Sequence, residues 1–405
     1  MRIALATVGT TGDVRPFAVL ARALVERGHE VTTISWPMHR EVLAGPGIRF
    51  TAAGPHDDPA AIAETAARAT EITDPMEQVA VLRDFHLAAG DAHYRVLHDV
   101  LAGHDLVVLH AIHALAHAAV LDLKLLWASV VFDPVLLPTT SAPPAGMPSL
   151  GPANRLGWWM LDRMLRRKSG PLDELLARAG SRQRRLPLFR ARSSHLHIVA
   201  CSPALISVPP DLAHSTHVTG AWTDPRPPQP LSGVLQAFLA GEPPVVITLG
   251  SMAGIDPPEL SAAIGAATSA GMRIVLQDSG ALASDDAPGL LRAGEADHRA
   301  LFAGASAVVH HGGAGTTHAA CAAGVPSVVV PHVGDQRYWA ERLEQLGVAP
   351  PAIPARQLTG AALLTAMRVA ASDTVMRERA AELGAQLRTE RGLDRAIELI
   401  EACVS

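Results

Sequence analysis

The chain has 405 residues, 48% hydrophobic and 18% charged, which suits a globular protein of two domains of nearly equal size rather than one. A net charge of −5 offers no nucleic-acid footprint, and no tract reads as an RNA or DNA module. No run of about eighteen apolar residues suggests a membrane span, and MRIALATVG is too short and too soon interrupted for a signal peptide, so the cytoplasm is the expected compartment.

Arg2–Thr7 reads as an apolar strand and Val8–Arg15 as the loop leaving its carboxyl end. Pro16 suits the first turn of a helix over Pro16–Arg27 that stops at Gly28. Val31–Ser35 gives a second strand. Such early alternation predicts a doubly wound parallel sheet with ligands beyond the strand C-termini, which places Thr10, Thr11 and Asp13 at a binding edge. From Asp57 to about Leu101 the pattern is helical. Asp105–Leu109 and Leu126–Phe132 read as strands flanking a helix that bears His113 and His117. Thr139–Pro152 is a Pro, Gly and Ser loop.

Asn154–Arg192 differs in character: Trp158, Trp159, Met160, Met164, Leu165 and Phe189 alternate with many arginines. Amphipathic helices lining an apolar cleft fit this pattern best, and plain packing helices fit almost as well. His197–Ala200 and His217–Gly220 close the first half, and Ala221–Leu231, with four prolines, is the linker. The second half restarts with the same grammar: strand Pro244–Leu249, loop Gly250-Ser251, helix Pro257–Ala270 and strand Arg273–Gln277. The predicted division is residues 1–220, linker 221–231, 232–388, and a final helix 389–405 that crosses back to brace the first domain. The fold class is α/β, with two Rossmann-like doubly wound domains facing across a cleft.

Ala307–Trp339, AVVHHGGAGTTHAACAAGVPSVVVPHVGDQRYW, carries the chemistry. Strand Ala307–Val309 meets His310, His311, Gly312, Gly313 and Gly315; a short helix over Ala319–Ala323 ends at Gly324, and strand Ser327–Val330 follows. Glycines let backbone N–H groups approach a ligand, and a helix N-terminus carries partial positive charge, so phosphate is the natural guest. Thr316 and Thr317 add hydroxyls, and His311 a ring donor. Asp335 beside Gln336 suits the vicinal hydroxyls of a sugar. A structural reading as helix cap and turn stands beside this one, and Asp13 likewise caps a helix or serves as a base.

HHGGAGTT followed by P-x-x-GDQ-x-x-W resembles the nucleotide-sugar signature of the GT-B glycosyltransferases, in the branch of sterol and vancomycin-type antibiotic glycosyltransferases. Gly9–Pro16, Asn154–Gly220, Gly294–Phe302 and Met376–Glu401 look like the same branch. The likeness is weakest over Pro55–His104, and Asp297 stands where that branch commonly has proline.

The resemblance implies an inverting, metal-independent transfer of a hexose from a UDP- or dTDP-linked sugar to a hydroxyl of an apolar or aromatic small molecule. It implies Asp13 as catalytic base. The donor diphosphate would lie on His311, Gly313, Gly315, Thr316 and Ser251, the sugar on Asp335 and Gln336, and the base on Ala296 and His298. Thr10, Thr11, His113, Trp158 and Trp159 are the candidate acceptor contacts. Neither a cofactor nor a metal is expected, and the protein would be a monomer or homodimer. The three cysteines form no disulfide framework or zinc motif. The alternatives are a non-catalytic nucleotide-sugar binding auxiliary protein and a nucleotide-sugar epimerase.

Overall fold

A computed structural model of the chain describes residues 1–72, 75–135, 137–144, 149–187, 190–248, 257–277 and 288–404. Phe189, Leu249, Gly250 and Ser251 lie outside these residues. The chain divides into two compact units, one of Met1–Thr65, Ile72–Asp224 and Arg391–Ser405, the other of Ala66–Glu71 and Pro225–Glu390.

Up to Asp224 the elements are β1 (Arg2–Ala6), α1 (Thr11–Glu26), β2 (Glu30–Ser35), α2 (Arg40–Leu43), β3 (Ile48–Ala52), α3 (Pro59–Glu71), α4 (Pro75–His86), α5 (Gly90–Leu101), β4 (Leu106–His110), α6 (Ala114–Asp122), β5 (Trp127–Val131), α7 (Asn154–Arg167), α8 (Gly170–Arg178), β6 (Leu196–Val199) and β7 (Thr216–Val218). The seven strands form one sheet in the order β3-β2-β1-β4-β5-β6-β7, and every pairing is parallel. Ala4, Ala6, Val107 and Leu109 on one face pack with Leu97, Leu101, Leu115 and Leu176 from the covering helices. Each fully buried Val or Leu of this kind stabilises the fold by roughly 1.5–3 kcal/mol.

The second unit contains α9 (Gly233–Leu239), β8 (Val245–Thr248), α10 (Pro257–Ser269), β9 (Ile274–Gln277), β10 (Leu290–Ala293), α11 (His298–Phe302), β11 (Ala307–His310), α12 (Ala314–Ala323), β12 (Ser327–Val329), α13 (Gln336–Gln345), α14 (Gly360–Ser372) and α15 (Thr374–Thr389). Its sheet is also wholly parallel, in the order β10-β9-β8-β11-β12. Val245 and Ile247 face α10 and α14 through Ile264, Leu363 and Met367, whereas Val246 between them packs with Leu235, Phe302 and Ala320 on the other side. Residues of alternating direction are therefore all apolar, as a sheet covered on both faces requires.

The last helix, α16 (Gly392–Ala402), belongs to the first unit. Leu393, Ala396, Ile397 and Ile400 are its buried face, and Glu401 accepts from Arg27 Nη2 at 2.6 Å and lies 3.0 Å from His29 Nε2. Backbone approach is close at its start. A Cβ on Gly392 would run into the Gly220–Ala221 backbone.

Several local expectations are corrected. The first helix starts at Thr11, not Pro16, because Thr10 and Asp13 form a capping box that opens it earlier. Pro16 then sits inside α1, and lacking an N–H it leaves a helix bond unmade. The glycine-turn helix begins at Ala314 rather than Ala319, so Gly315 and Thr316 lie in its first turn. The helical stretch from Asp57 resolves into α3, α4 and α5. Strands β3 and β10 had no counterpart in the sequence reading; both are edge strands, where burial is partial and the apolar run is short.

Candidate functional site

Open parallel sheets bind ligands outside the carboxyl ends of their strands, where the strand order reverses. In the first unit the reversal lies between β1 and β4. The chain leaves β1 toward β2 and β3 on one side and resumes at β4 on the other. Asp13, in the first turn of α1, stands at that point. Its Oδ2 accepts from the Thr10 amide at 2.7 Å and the Thr10 hydroxyl at 2.9 Å. Its Oδ1 lies 4.0 Å from Nε2 of His110, the last residue of β4.

Capping and a chemical role are therefore compatible. One carboxylate oxygen holds the helix start, and the other remains beside a buried imidazole. Gly9 permits the arrangement, having φ +116° and no room for a Cβ against Asp13 Oδ2. His39 supports the same turn, its Nε2 bonding the Gly9 carbonyl at 3.1 Å.

Burial pushes His110 below the ordinary imidazole range, although the Asp13 charge opposes the shift. Its ring packs 5.1 Å from Phe132, which itself meets Phe17 edge-on at 5.9 Å. Asp133 follows at the end of β5. Burial pushes its carboxyl up to about 6; the Val135 amide on Oδ1 at 2.8 Å opposes the shift and the Asp13 charge adds to it.

His113 is the N-cap of α6, its Nδ1 accepting from the Ala116 amide at 3.4 Å. Burial, with His93, His86 and His110 nearby, holds it well below the usual value. It lines a pocket with Arg83, His86 and Ile112 that has room for about one water. Thr10 is half-buried and Thr11 exposed. The adjacent tryptophans part company. Trp158 is buried and donates its indole N–H to the Ala142 carbonyl at 2.9 Å, whereas Trp159 is exposed.

In the second unit the strand order reverses between β8 and β11, whose ends pair as Thr248 with His310. There the chain passes through His311 and Gly312 into Gly313, the N-cap of α12. Gly312 has φ +87°, and a Cβ would come within 2.8 Å of Val329 Cγ1 and 2.9 Å of the Gln336 carbonyl oxygen. A Cβ on Gly313 would run into His311 Nε2, so that ring lies directly over the helix N-terminus. Gly315 is exposed, with nothing within 4 Å of where a Cβ would sit, and Thr316 is half-buried beside it.

Burial, with His332 and His298 adding to it, lowers His311 to about 4. His310 is lowered to about 3 by burial, and its Nδ1 accepts from the Gly312 amide at 3.1 Å. Ser251 lies outside the described residues.

Asp335 and Gln336 stand after β12 on the same sheet edge. Asp335 Oδ2 accepts from the Trp339 indole at 2.9 Å. Gln336 Oε1 accepts from the His332 and Val333 amides at 2.7 and 3.1 Å, so its carbonyl end shapes the loop and its amide N–H2 is left to donate. His298 stacks on Phe302 at 4.6 Å and its Nε2 lies 2.8 Å from Gln277 Oε1. Ala296 lines a groove of about 240 Å³ with Leu231, Leu235 and Leu291. Asp297 caps α11 through the Arg299 amide and also accepts from the Gln229 amide at 3.0 Å, tying the linker down. A proline there would keep neither bond.

Each unit thus gathers its residues at its own switch point, Asp13 with Thr10 in one, His311 to Thr316 in the other. Sequence reasoning missed His39, His110 and Asp133. Their only signal was a position just past an apolar strand, on the edge already holding Asp13. Among the described residues no group of three or more His, Cys, Asp or Glu is arranged to hold a metal ion.

Residues 266–393 match the family model described as erythromycin biosynthesis protein CIII-like, C-terminal domain. The chain is 34% identical to the O-mycaminosyltylonolide 6-deoxyallosyltransferase of Streptomyces fradiae, over 99% of this chain and 97% of the relative. It is 31% identical to the vancomycin aglycone glucosyltransferase of Amycolatopsis orientalis, over 91% and 90%. Its fold is similar to the solved structure of glycosyltransferase VinC in complex with dTDP, with a TM-score of 0.71 at 20% identity, over 100% of this chain and 99% of that one.

Proposed function

The chain belongs to the GT-B glycosyltransferases of the antibiotic-biosynthesis type, enzymes that use nucleotide sugars, and we propose that it moves a hexose from a UDP- or dTDP-linked donor to a hydroxyl of an apolar or aromatic small molecule, with inversion and without a metal. The observation that carries the reading is Asp13, one oxygen fixed by Thr10 and the other left for chemistry.

In the proposed step the acceptor O–H proton passes to Asp13 Oδ1 while the acceptor oxygen attacks the anomeric carbon. The bond from that carbon to the phosphate oxygen breaks, and the diphosphate departs with the electron pair. An Asp is a weak base by its reference value, so it acts on a hydroxyl already losing its proton in the transition state. The N–H groups opening α12, with Thr316 and His311, meet the charge that develops on the diphosphate. Asp335 and the Gln336 amide are assigned to the hexose hydroxyls, Ala296 and His298 to the base, and Thr10, Thr11 and His113 to the acceptor. The name VinC carries with dTDP supports the thymidine donor, and the relatives' names support antibiotic precursors as acceptors.

Incubation with UDP- and dTDP-hexoses and a panel of such acceptors, followed by assignment of the product's anomeric configuration, tests the reading. An α-linked donor is expected to give a β-linked product. Retention of configuration would overturn the direct-attack mechanism, and conversion of the sugar without any acceptor would favour an epimerase.

A further inference from the structure

Helix α7 has two faces of different fate. Asn154, Gly157, Trp158 and Leu165 are buried in the first unit, with Arg190 over the Trp158 ring at 5.6 Å. On the outer side Leu156, Trp159, Met160 and Met164 are 53%, 59%, 46% and 36% exposed, and Leu150, just before the helix, is 50% exposed. Their spacing of three and four residues lines them up along one helix face. Single exposed apolar residues are ordinary, whereas a contiguous row of them marks an interaction surface. Among the described residues twelve large hydrophobic side chains are exposed, five of them here, including the only aromatic one.

The charges around that row differ from those of the rest of the chain. Residues 154–192 hold eleven Lys or Arg against three Asp or Glu, in a chain whose net charge is −5. Arg155 and Arg166 are neutralised by Asp211 and Asp162. Arg163, set over the Trp159 ring at 5.8 Å, and Arg167 and Lys168 are exposed without an acidic partner among the described residues. Arg166 also donates to the Arg185 carbonyl at 2.6 Å, which brings a second exposed basic run, Arg182 to Arg185, to the same end of the helix.

We propose that the outer face of α7 docks the protein on an anionic phospholipid surface, its Leu, Met and Trp side chains entering the headgroup–acyl boundary and the flanking guanidinium and ammonium groups meeting lipid phosphates. An interfacial helix of this kind combines an apolar face, a Trp and a basic border. Nucleic acid also attracts arginines, but a row of Leu and Met offers nothing to a sugar–phosphate backbone. Helix α7 is 14 residues long, far short of a span, so it would lie in the plane of the interface.

Cosedimentation of the full chain with vesicles of phosphatidylcholine, with and without phosphatidylglycerol, tests this docking. Binding is expected only when phosphatidylglycerol is present and is expected to fall as salt is raised. Reversing two charges, Arg163→Glu with Arg167→Glu, is expected to weaken partitioning about tenfold or more. Trp159→Ser with Met160→Ser is expected to abolish it, with the thermal midpoint little changed because both side chains are on the surface. If the apolar variant fails to fold, the charge-reversal variant decides alone.

Absence of binding to either vesicle, or binding unaltered in the variants, would overturn the proposal. So would light scattering that shows the same residues driving self-association, or retention of the protein by RNA in place of the vesicles.

Discussion

At the scale of single residues, His311 and Asp13 are prepared in different ways. His311 is neutral as it stands, because burial holds it at about 4. A bound diphosphate brings negative charge to its ring and raises that value, so binding should be accompanied by proton uptake. Affinity for a nucleotide sugar is expected to rise as pH falls from neutrality, and to level off above the bound-state value. Calorimetry in buffers of different ionisation enthalpy should show this uptake in the wild-type protein and lose it in His311→Gln. Equal uptake in both would place the proton elsewhere.

The positions of Asp13 and His311 were legible in the sequence, Asp13 on the loop leaving the first strand and His311 in a glycine-rich turn, while the role of Asp13 came from the family resemblance. His110 was not legible. Its place beside Asp13 comes from the pairing of β1 with β4, residues about a hundred apart, which no local pattern records. Asp133 was hidden for the same reason, and its meaning depends on burial at the end of β5.

At the scale of elements, both candidate sites are helix N-termini reached through a left-handed glycine. Gly9 and Gly312 combine positive φ with a close neighbour, Asp13 in one case and Val329 with Gln336 in the other. Replacing either by Ala adds strain of about 1–3 kcal/mol and displaces the group beside it. Gly9→Ala is expected to lower turnover while sparing nucleotide-sugar affinity; Gly312→Ala is expected to weaken that affinity. Thermal unfolding and calorimetric titration of the two variants check the contrast, and identical profiles would remove it. Glycine and threonine also explain why the sequence placed both helix starts about one turn late. These residues serve loops and caps alike, and only the folded turn tells which.

At the scale of the whole molecule, many buried histidines are kept neutral. His93, His197 and His310 are lowered to about 3, and His117, His318 and His332 to about 4, with burial the main cause in each. Between the ordinary imidazole value of 6.5 and these folded values the unfolded chain binds more protons than the native one, so stability rises with pH across that range. Their contribution is fully present above about 6.5 and is lost as pH falls toward 4.

Each such histidine takes stability away as pH falls below about 6.5, by on the order of 1 kcal/mol per pH unit at most, which is a sizeable share of the roughly 5–15 kcal/mol of a typical fold. Unfolding is therefore expected as pH falls from 6.5 toward 4, and circular dichroism against pH measures it. A flat stability profile down to pH 4 would mean that the imidazoles are solvated.

Two parallel sheets were legible at this scale from repeated strand–helix grammar. The edge strands β3 and β10 were not, because an edge needs less apolar surface.

The proposed transfer depends above all on Asp13 as the base. Its direct test is turnover by Asp13→Asn with any acceptor the wild-type enzyme uses, donor affinity being measured on the same preparation. Asn keeps an oxygen for the Thr10 bonds and so preserves the cap. Turnover is expected to fall by about 10²–10⁴-fold with donor affinity retained. A variant that turns over at close to the wild-type rate would contradict it.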